Sequence, residues 1–261
     1  MLVALASLNQ VWEDKPANLL SCERLLQKAK NHNVELIIFP EMTLTGFSMQ
    51  VDSIAEEAGD SATLESFKAL ALNYGIKVIF GVVLRKNDSV SNNAIFLDHA
   101  GEVGGVYRKI HPFSFSQEDS YFEAGNEIVS LDAGSLQLGI TICYDLRFPE
   151  IYTALGVKSD LIINIANWPT KRLEHWMILL KARAIENQVF VAGINRIGTD
   201  PNNNEYVKSS IIVHPNGEVL TPIYSEEQLD IYEINKAMIA QFKREFSTTK
   251  DRRPDFYKSI L

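Results

Sequence analysis

Short, nearly continuous apolar runs alternate with segments of helical periodicity along this chain, and this alternation restricts its fold more than any other feature. Runs rich in Ile, Val, Leu and Phe are typical of strands that are covered on both faces. We predict strands at Leu2–Val11, Leu36–Phe39, Val78–Leu84, Ala94–Leu97, Gly139–Ile142, Leu161–Ala166, Val189–Ile194 and Ser210–His214. The pattern therefore predicts an α/β fold.

The segments between these strands supply the helices and turns. Helical spacing of apolar residues predicts helices at Pro16–Asn31, Leu64–Tyr74 and Leu173–Asn187. Glycine-containing turns at Asp98–Glu102 and Pro215–Glu218 predict hairpins, so we expect mixed rather than purely parallel sheets. Because no low-complexity linker or repeat interrupts the pattern, we expect a single domain over residues 1–261, with two sheets covered by helices.

Charge and composition speak against several classes of partner. The formal net charge is −8 over 261 residues, and the sequence has no run of Lys and Arg of the kind that phosphate binding needs. We therefore expect no nucleic-acid partner. The apolar start, Leu2–Leu8, has no basic leader and is followed at once by polar residues, which favours a core strand over a signal peptide. No apolar stretch approaches the roughly 18 residues of a membrane span. We expect a cytoplasmic protein with no membrane partner.

Four polar residues follow predicted strands directly. Glu41, Lys109, Cys143 and Asn167 each come where an apolar run ends. In α/β folds functional groups gather at the ends of strands, because a rigid strand fixes the position of the adjacent side chain. One such residue would mean little, but four together predict a site.

Cys143 is the candidate nucleophile. Its thiol lies where a strand gives way to a polar segment, and Pro149 and Glu150 resemble the first turn of a helix, whose N–H groups can face an anion. Cys22 lies in the middle of a predicted helix and is interpreted as structural. Two cysteines are too few for a secreted disulfide scaffold; they could form a single bond, but in a reducing compartment we expect free thiols.

A cysteine nucleophile needs an activating base, because a free thiol is mostly protonated at neutral pH. Glu41 lies among apolar residues, which suits a general base better than a solvated surface would. His111 and His175 lie near candidate site segments, so a Cys–His pair remains an alternative. Lys109 alone suits a surface strand, but beside a cysteine and a glutamate it could stabilise an oxyanion.

Other chemistries lack their sequence patterns. No Cys/His cluster has the spacing of metal ligands, so no metal site is expected. Gly101, Gly104 and Gly105 match neither a phosphate-binding loop nor a dinucleotide fingerprint. No Gly-x-Ser-x-Gly elbow is present.

The ordered set of motifs resembles the nitrilase superfamily of carbon-nitrogen hydrolases. The matching stretches are Phe39-Pro40-Glu41, Tyr107-Arg108-Lys109-Ile110-His111, Cys143-Tyr144-Asp145-Leu146-Arg147-Phe148-Pro149-Glu150, Asn167-Trp168-Pro169 and Arg183-Ala184-Ile185-Glu186-Asn187-Gln188. Each motif is weak alone, but their order is highly specific. The resemblance runs from the first strand to about Ile234.

This resemblance implies a fold, a mechanism and an assembly. It implies a four-layer α-β-β-α sandwich, with Cys143 as nucleophile, Glu41 as general base and Lys109 as oxyanion stabiliser. The backbone N–H of Tyr144 would be the second oxyanion donor. The family often has a second glutamate after the lysine motif, for which Glu118 is the candidate and Glu123 the alternative. The resemblance also implies a homodimer or higher homo-oligomer and no cofactor.

Finer motifs resemble the omega-amidase branch, which hydrolyses the terminal amide of dicarboxylate monoamides such as 2-oxoglutaramate and succinamate. These motifs are Thr45-Gly46-Phe47-Ser48-Met49, Asp145-Leu146-Arg147-Phe148-Pro149 and Asn167-Trp168-Pro169. Another small-amide or N-carbamoyl hydrolase of the superfamily remains an alternative, as does a binding or scaffold protein that keeps the fold without turnover.

An omega-amidase must hold the carboxylate at the far end of its small-molecule substrate. In an acidic protein this requires a local cation, and an Arg fork matches carboxylate geometry. Arg147 is the first candidate and Arg172 the second, and either could instead form a surface ion pair. Tyr144, Asn167 and Trp168 complete the predicted substrate-binding set.

Overall fold

The computed structural model describes residues 1–260. Its strands are β1 (Leu2–Ala6), β2 (Leu36–Ile38), β3 (Glu56–Glu57), β4 (Lys77–Lys86), β5 (Ser89–Leu97), β6 (Val103–Arg108), β7 (Val129–Asp132), β8 (Gln137–Ile142), β9 (Leu161–Ala166), β10 (Phe190–Asn195), β11 (Gly198–Thr199), β12 (Glu205–Tyr206), β13 (Ile211–Val213), β14 (Tyr224–Glu226) and β15 (Leu229–Glu233). Its helices are α1 (Lys15–Asn31), α2 (Val51–Ile54), α3 (Ala62–Tyr74), α4 (Pro149–Gly156), α5 (Leu173–Asn187), α6 (Ala237–Glu245) and α7 (Pro254–Ile260). Single 3-10 turns lie at Ser114–Ser116, Glu118–Ser120, Cys143–Arg147, Thr170–Arg172 and Thr249–Asp251.

The strands form two mixed sheets. The first sheet has the order β14-β15-β1-β2-β4-β5-β6, with β3 paired to β4, and the second has the order β13-β10-β9-β8-β7. In each sheet the central strands are parallel and the outer ones antiparallel, as the predicted hairpins indicated. Among the described residues no helix is long and apolar enough to cross a membrane.

The two sheets pack face to face. Leu5 and Ile38 of the first sheet share one buried cluster with Ile140, Ile163 and Phe190 of the second. Such side chains point alternately to the two faces of a strand, so every second residue of each strand enters this layer. Burial of a large aliphatic side chain contributes about 1.5–3 kcal/mol, which makes the inter-sheet core a main source of stability.

Helices cover the outer face of each sheet. Leu26 of α1 and Phe67 of α3 pack on the first sheet, where the Phe67 ring stacks on Phe80 of β4 at 4.0 Å. Trp176 and Leu180 of α5 pack on the second sheet, together with residues of α4. The layers therefore run α-β-β-α, and the predicted four-layer sandwich is confirmed.

The longest predicted strand was wrong at its far end. Strand β1 stops at Ala6, whereas the apolar pattern predicted Leu2–Val11. Beyond β1 the chain leaves the sheet, and Gln10 donates hydrogen bonds from Nε2 to the carbonyls of Glu41, Met42 and Thr43. A buried polar side chain with three backbone acceptors explains why this segment turns away from the sheet.

Strand direction brings the four predicted polar residues to adjacent edges. Strands β2 and β6 run the same way in the first sheet, so the segments with Glu41 and Lys109 leave at one edge. Strands β8 and β9 are parallel in the second sheet, so Cys143 and Asn167 also share an edge. The N–H of Asn167 donates to Glu41 Oε2 at 3.0 Å, which shows that these two edges meet.

Gly81 in β4 gives a test of how closely this edge is packed. A Cβ added at Gly81 would lie 2.3 Å from the backbone nitrogen of Met42 and 2.9 Å from Cα of Glu41. We predict that Gly81→Ala lowers the free energy of unfolding by about 1–3 kcal/mol, because backbone rather than a flexible side chain must shift. Urea denaturation measures the effect. Gly59→Ala is the control, since its Cβ meets nothing within 4 Å, and equal losses would contradict the prediction.

Candidate active site

Three charged side chains form a buried cluster at the meeting edges. Lys109 Nζ lies 2.8 Å from Oε1 of Glu41 and 2.8 Å from Oε2 of Glu118. The exposed fractions are 0% for Glu41, 1% for Lys109 and 0% for Glu118. An ammonium thus lies between two carboxylates that are shielded from water.

Neutral donors compensate the second carboxylate. Asn92 Nδ2 donates to Glu41 Oε1 at 2.8 Å and to Glu118 Oε1 at 3.1 Å. The N–H of Phe113 donates to Glu118 Oε2 at 2.6 Å, and the N–H of Asn167 donates to Glu41 Oε2. Buried charge is tolerated where such hydrogen bonds satisfy the remaining lone pairs.

Three side chains hold the backbone around Glu41 through hydrogen bonds. Asn167 Nδ2 donates to the carbonyl of Glu41 at 2.7 Å, and Gln10 binds the same carbonyl at 3.1 Å. The Thr43 hydroxyl donates to the Pro40 carbonyl at 2.7 Å. These bonds fix the tight loop after β2 and with it the carboxylate.

Cys143 begins the 3-10 turn Cys143–Arg147, which we call the Cys143 turn. Its φ is +45°, a left-handed conformation that non-glycine residues seldom adopt. Strained residues of this kind cluster at functional sites, where the surrounding structure holds them in place. The residue is half-buried and lines a cavity, so its side chain is accessible to a small molecule.

The site electrostatics keep the thiol and the ammonium protonated at neutral pH. Burial and the charge of Glu41 raise the pKa of Cys143 well above its usual range, although Lys109 and the N–H of Asn167 act in the opposite direction. Burial lowers the pKa of Lys109, but Glu118 and Glu41 more than offset this and raise it. Burial also raises the pKa of Glu118, as it does that of Cys143, although the neighbouring Lys109 ammonium acts in the opposite direction. The thiol therefore needs a base before it can react.

Asp145 ties the Cys143 turn to strand β6. Its Oδ2 accepts from the Tyr107 hydroxyl at 2.7 Å and from the N–H of Ile142 at 2.9 Å. Its Oδ1 accepts from the N–H of His111 at 3.0 Å and lies 2.8 Å from His111 Nδ1. The His111 ring stacks on Phe148 at 3.7 Å.

The alternative bases and the alternative glutamate lie elsewhere. His111 is engaged by Asp145, and His175 Nδ1 lies 3.4 Å from an Arg147 nitrogen. Within residues 1–260 no histidine is hydrogen-bonded to Cys143, so the Cys–His alternative finds no support. Glu123 pairs with Arg108 at the surface at 3.2 Å, whereas Glu118 lies beside Lys109.

A cavity of about 510 Å³ opens in front of the thiol. All residues of the predicted substrate-binding set line it, namely Tyr144, Arg147, Asn167, Trp168 and Arg172. Trp12, Phe47, Asp200 and Tyr206 also line it and were not predicted. They come from segments distant in sequence, and only Phe47 lies in a motif that resembles the omega-amidase branch.

Two guanidinium groups on the cavity wall have no acidic partner. The Arg147 guanidinium carbon lies 4.9 Å from the Trp168 ring centroid, and that of Arg172 lies 5.4 Å from the Phe113 ring. Neither guanidinium is within 4.0 Å of a carboxylate of the described residues. Burial is the main cause that lowers the pKa of Arg172. The charge of Arg147 adds to this effect, whereas Cys143 acts in the opposite direction.

Sequence reasoning missed the role of Asn92. Its signal was a pair of amides, Asn92 and Asn93, directly before the apolar run predicted as Ala94–Leu97. Strand β5 begins earlier, at Ser89, and buries both amides. Buried amides are unfavourable unless they are hydrogen-bonded, so such a pair in a core strand indicates specific partners.

Potential metal ligands do not assemble in the part of the chain that the structure describes. Within residues 1–260 no group of three or more His, Cys, Asp or Glu side chains is placed to hold a metal ion.

Sequence comparison finds relatives over almost the whole chain. The sequence profile of the carbon-nitrogen hydrolases matches residues 2–244. A 2-oxoglutaramate amidase of Bacillus subtilis is 35% identical over 247 residues, 93% of this chain and 94% of the relative. The omega-amidase YafV of Escherichia coli K12 is 34% identical over 242 residues, 92% of each chain.

Solved structures agree with these sequence matches. XC1258 of Xanthomonas campestris, a CN-hydrolase superfamily protein with an arsenic adduct in its active site, superposes with a TM-score of 0.89 at 29% identity, covering 97% of each chain. Nit3 of Saccharomyces cerevisiae, of branch 10 of the nitrilase superfamily, shares the fold with a TM-score of 0.86 at 24% identity, covering 97% of this chain and 96% of Nit3. This chain therefore belongs to the carbon-nitrogen hydrolase family.

Proposed function

We propose that this protein is an omega-amidase, which hydrolyses the terminal amide of a short dicarboxylate monoamide such as 2-oxoglutaramate or succinamate. The observation that carries the proposal is the pair of guanidinium groups, without an acidic partner among residues 1–260, on the wall of the cavity that contains Cys143. The amidases of Bacillus subtilis and Escherichia coli, similar over nine-tenths of the chain, support the same substrate class.

The first half of the reaction forms a thioester. Glu41 takes the proton of the Cys143 thiol as sulfur attacks the amide carbonyl carbon. The resulting oxyanion is stabilised by the Lys109 ammonium and the backbone N–H of Tyr144. Glu41 then returns its proton to the substrate nitrogen, the C–N bond breaks, and ammonia leaves.

The second half releases the acid. Glu41 takes a proton from water, and the oxygen attacks the thioester carbonyl. The C–S bond breaks, and the proton held by Glu41 passes to the sulfur of Cys143. Glu118 holds Lys109 through both carboxylate oxygens, at 3.0 and 2.8 Å, so the ammonium keeps its position and charge through both steps.

Charge separates this proposal from its alternatives. A neutral amide leaves both guanidinium groups of the cavity wall without an anion, and a carboxylate at the far end of the substrate supplies one. Asn167 and Trp168 would complete the binding surface, with Trp168 under Arg147. An N-carbamoyl substrate would place its carbonyl at the same thiol, so ammonia release from a panel of amides and carbamoyl compounds separates these activities.

A covalent adduct on Cys143 is the first expected result. Intact-mass spectrometry of a rapidly quenched reaction with a slow substrate should show one acyl group on this residue. Cys143→Ala should lose both adduct and turnover. Cys22→Ala should keep both, because Cys22 is fully buried on the inner face of α1, in the core against the first sheet. An adduct on Cys22 would exclude the proposed nucleophile, and a stable fold without any adduct would favour a binding protein.

The roles of Lys109 and Glu41 give the second expected result. Lys109→Ala and Glu41→Gln should each reduce kcat by on the order of 10²–10³, the effect of losing one oxyanion donor or its equivalent. The double variant should lose little more, because the two groups act as a unit. Steady-state ammonia release measures kcat, and circular dichroism checks folding. Near wild-type turnover by folded Lys109→Ala would rule out its assigned role.

Removal of either guanidinium group should reduce activity only on substrates that carry a carboxylate. Arg147→Ala should weaken succinamate binding by roughly 2–5 kcal/mol, because a charge-assisted pair loses one partner. Turnover of butyramide, which has no carboxylate, should change little. Arg172→Ala should behave in the same way if both groups bind the carboxylate. The measurement is kcat/KM for the two substrates.

Lys171→Ala is the matched control for this loss of charge. Lys171 borders the same cavity, but its ammonium donates to Asn204 Oδ1 at 3.1 Å and is solvent-exposed. The Lys171→Ala variant should have the same ratio of kcat/KM for succinamate and butyramide as the wild type. Equal losses on both substrates in Arg147→Ala would assign this residue to the fold or the triad. Strong wild-type activity on butyramide with none on succinamate would remove the omega-amidase assignment and leave the triad standing.

We also propose that the protein acts in the cytoplasm as a homodimer or higher homo-oligomer. Helix α5, which flanks the site, exposes the apolar side chains of Ile178 and Ile185. Apolar side chains of this size on one helix suit a contact between subunits. Sedimentation equilibrium distinguishes a single chain from an assembly.

A further inference from the structure

Asn92 lies between the two carboxylates of the buried cluster. It donates from Nδ2 to Glu41 Oε1 at 2.8 Å and to Glu118 Oε1 at 3.1 Å. The reversed amide would point its oxygen at both carboxylates, so the hydrogen-bond network itself assigns the orientation. The Oδ1 atom accepts no hydrogen bond from residues 1–260. A buried amide with one unsatisfied end calls for a functional reason.

The two oxygens of Glu41 have different environments. Oε1 accepts from Asn92 and from Lys109, both at 2.8 Å. Oε2 accepts from the backbone N–H of Asn167 at 3.0 Å. Asn167 follows β9 and Cys143 follows the parallel neighbour β8, so Oε2 is bonded to the edge of the second sheet that also carries Cys143.

We propose that Asn92 is a positioning residue, which holds Oε1 of Glu41 and thereby presents Oε2 to Cys143 for transfer of the thiol proton. This inference rests on the proposed role of Glu41 as general base, and it adds the group that decides which of its oxygens carries the proton.

Lys109 alone would hold the carboxylate less precisely. Its ammonium is a point charge with rotatable donors and is shared with both oxygens of Glu118. Asn92 has a planar amide with two N–H bonds at a fixed angle. The backbone carbonyl of Asn92 accepts from the backbone N–H of Lys109 at 2.9 Å. The side-chain amide is therefore attached to a strand that is fixed beside the lysine.

The next residue supplies a matched control. Asn93 is also an asparagine of β5 and is buried, but successive residues of a strand point to opposite faces. Its Nδ2 donates to the carbonyl and hydroxyl of Ser91, at 2.8 and 3.0 Å, and to neither glutamate. Loss of Asn93 therefore removes a buried amide without touching the cluster.

The first measurement compares kcat and KM in Asn92→Ala, Asn92→Ser and Asn93→Ala. We expect both Asn92 variants to lose roughly 100-fold in kcat, the effect of a small misplacement of a reacting group. Their KM for succinamate should be almost unchanged, because Asn92 does not line the cavity. Asn93→Ala should keep its kcat. Thermal melting followed by circular dichroism reports folding for all three.

The second measurement is independent of the substrate. Iodoacetamide alkylates Cys143, and peptide mass spectrometry separates this product from Cys22. The alkylation rate at neutral pH should fall in both Asn92 variants, because a misplaced Glu41 carboxylate accepts the thiol proton less effectively. Lys109, which also contacts Glu41 Oε1, is unchanged in these variants. A wild-type alkylation rate in Asn93→Ala completes the expected pattern.

The outcomes separate this inference from the proposed substrate class. Lack of wild-type activity on succinamate, together with slower alkylation of Cys143 in the Asn92 variants, would remove the omega-amidase assignment and support the role of Asn92. Wild-type kcat and a wild-type alkylation rate in Asn92→Ala would overturn that role. Equal losses in Asn93→Ala, or failure of both Asn92 variants to fold, would make the residue structural and also overturn it.

Discussion

The Lys109 ammonium between two buried carboxylates is the interaction on which the site depends. A lone carboxylate in this interior would lose several kcal/mol of hydration, and two without a cation would repel each other. One ammonium cannot neutralise both, so the neutral donors Asn92, Phe113 and Asn167 satisfy the remaining oxygens. Removal of any one of these groups leaves a buried charge without one of its partners, in a protein interior that solvates it poorly.

The hydrogen bonds of this cluster are completed where the two sheets meet. Glu41, Asn92 and Lys109 come from the first sheet and its edge, and Asn167 comes from the edge of the second. The Cys143 turn belongs to the second sheet and is tied back to β6 through Asp145. The inter-sheet core of aliphatic side chains therefore sets the separation of Cys143 and Glu41, and the hydrogen bonds adjust it locally.

Charge is distributed unequally between the interior of the site and its cavity. The interior holds two carboxylates and one ammonium, and it keeps the thiol protonated until a base accepts its proton. The cavity wall holds two guanidinium groups stacked on aromatic rings, without an acidic partner among residues 1–260. Within a chain of net charge −8, this local excess of cations is the basis of the proposed selection for a substrate that carries an anionic group.

Local sequence pattern determined the elements whose burial is either continuous or regularly periodic. Strand β9 and helix α5 have the predicted bounds, because an unbroken apolar run and a clear helical stripe each carry their own boundary signals. The four polar residues at strand ends were also visible, since each interrupts an apolar run. The ordered motifs around them were enough to indicate the family.

Tertiary structure decided what depends on contacts between distant residues. The end of β1 at Ala6 follows from the bonds of Gln10 to the loop around Glu41, and no local pattern encodes them. Glu118 rather than the alternative Glu123 lies beside Lys109, a choice that depends on the fold of the segment between β6 and β7. The sequence alone determined the layers and the reactive residue types, because hydrophobic periodicity is a local property. The choice of partners for those residues required the folded chain, because hydrogen bonds in a buried cluster depend on the packing of two sheets.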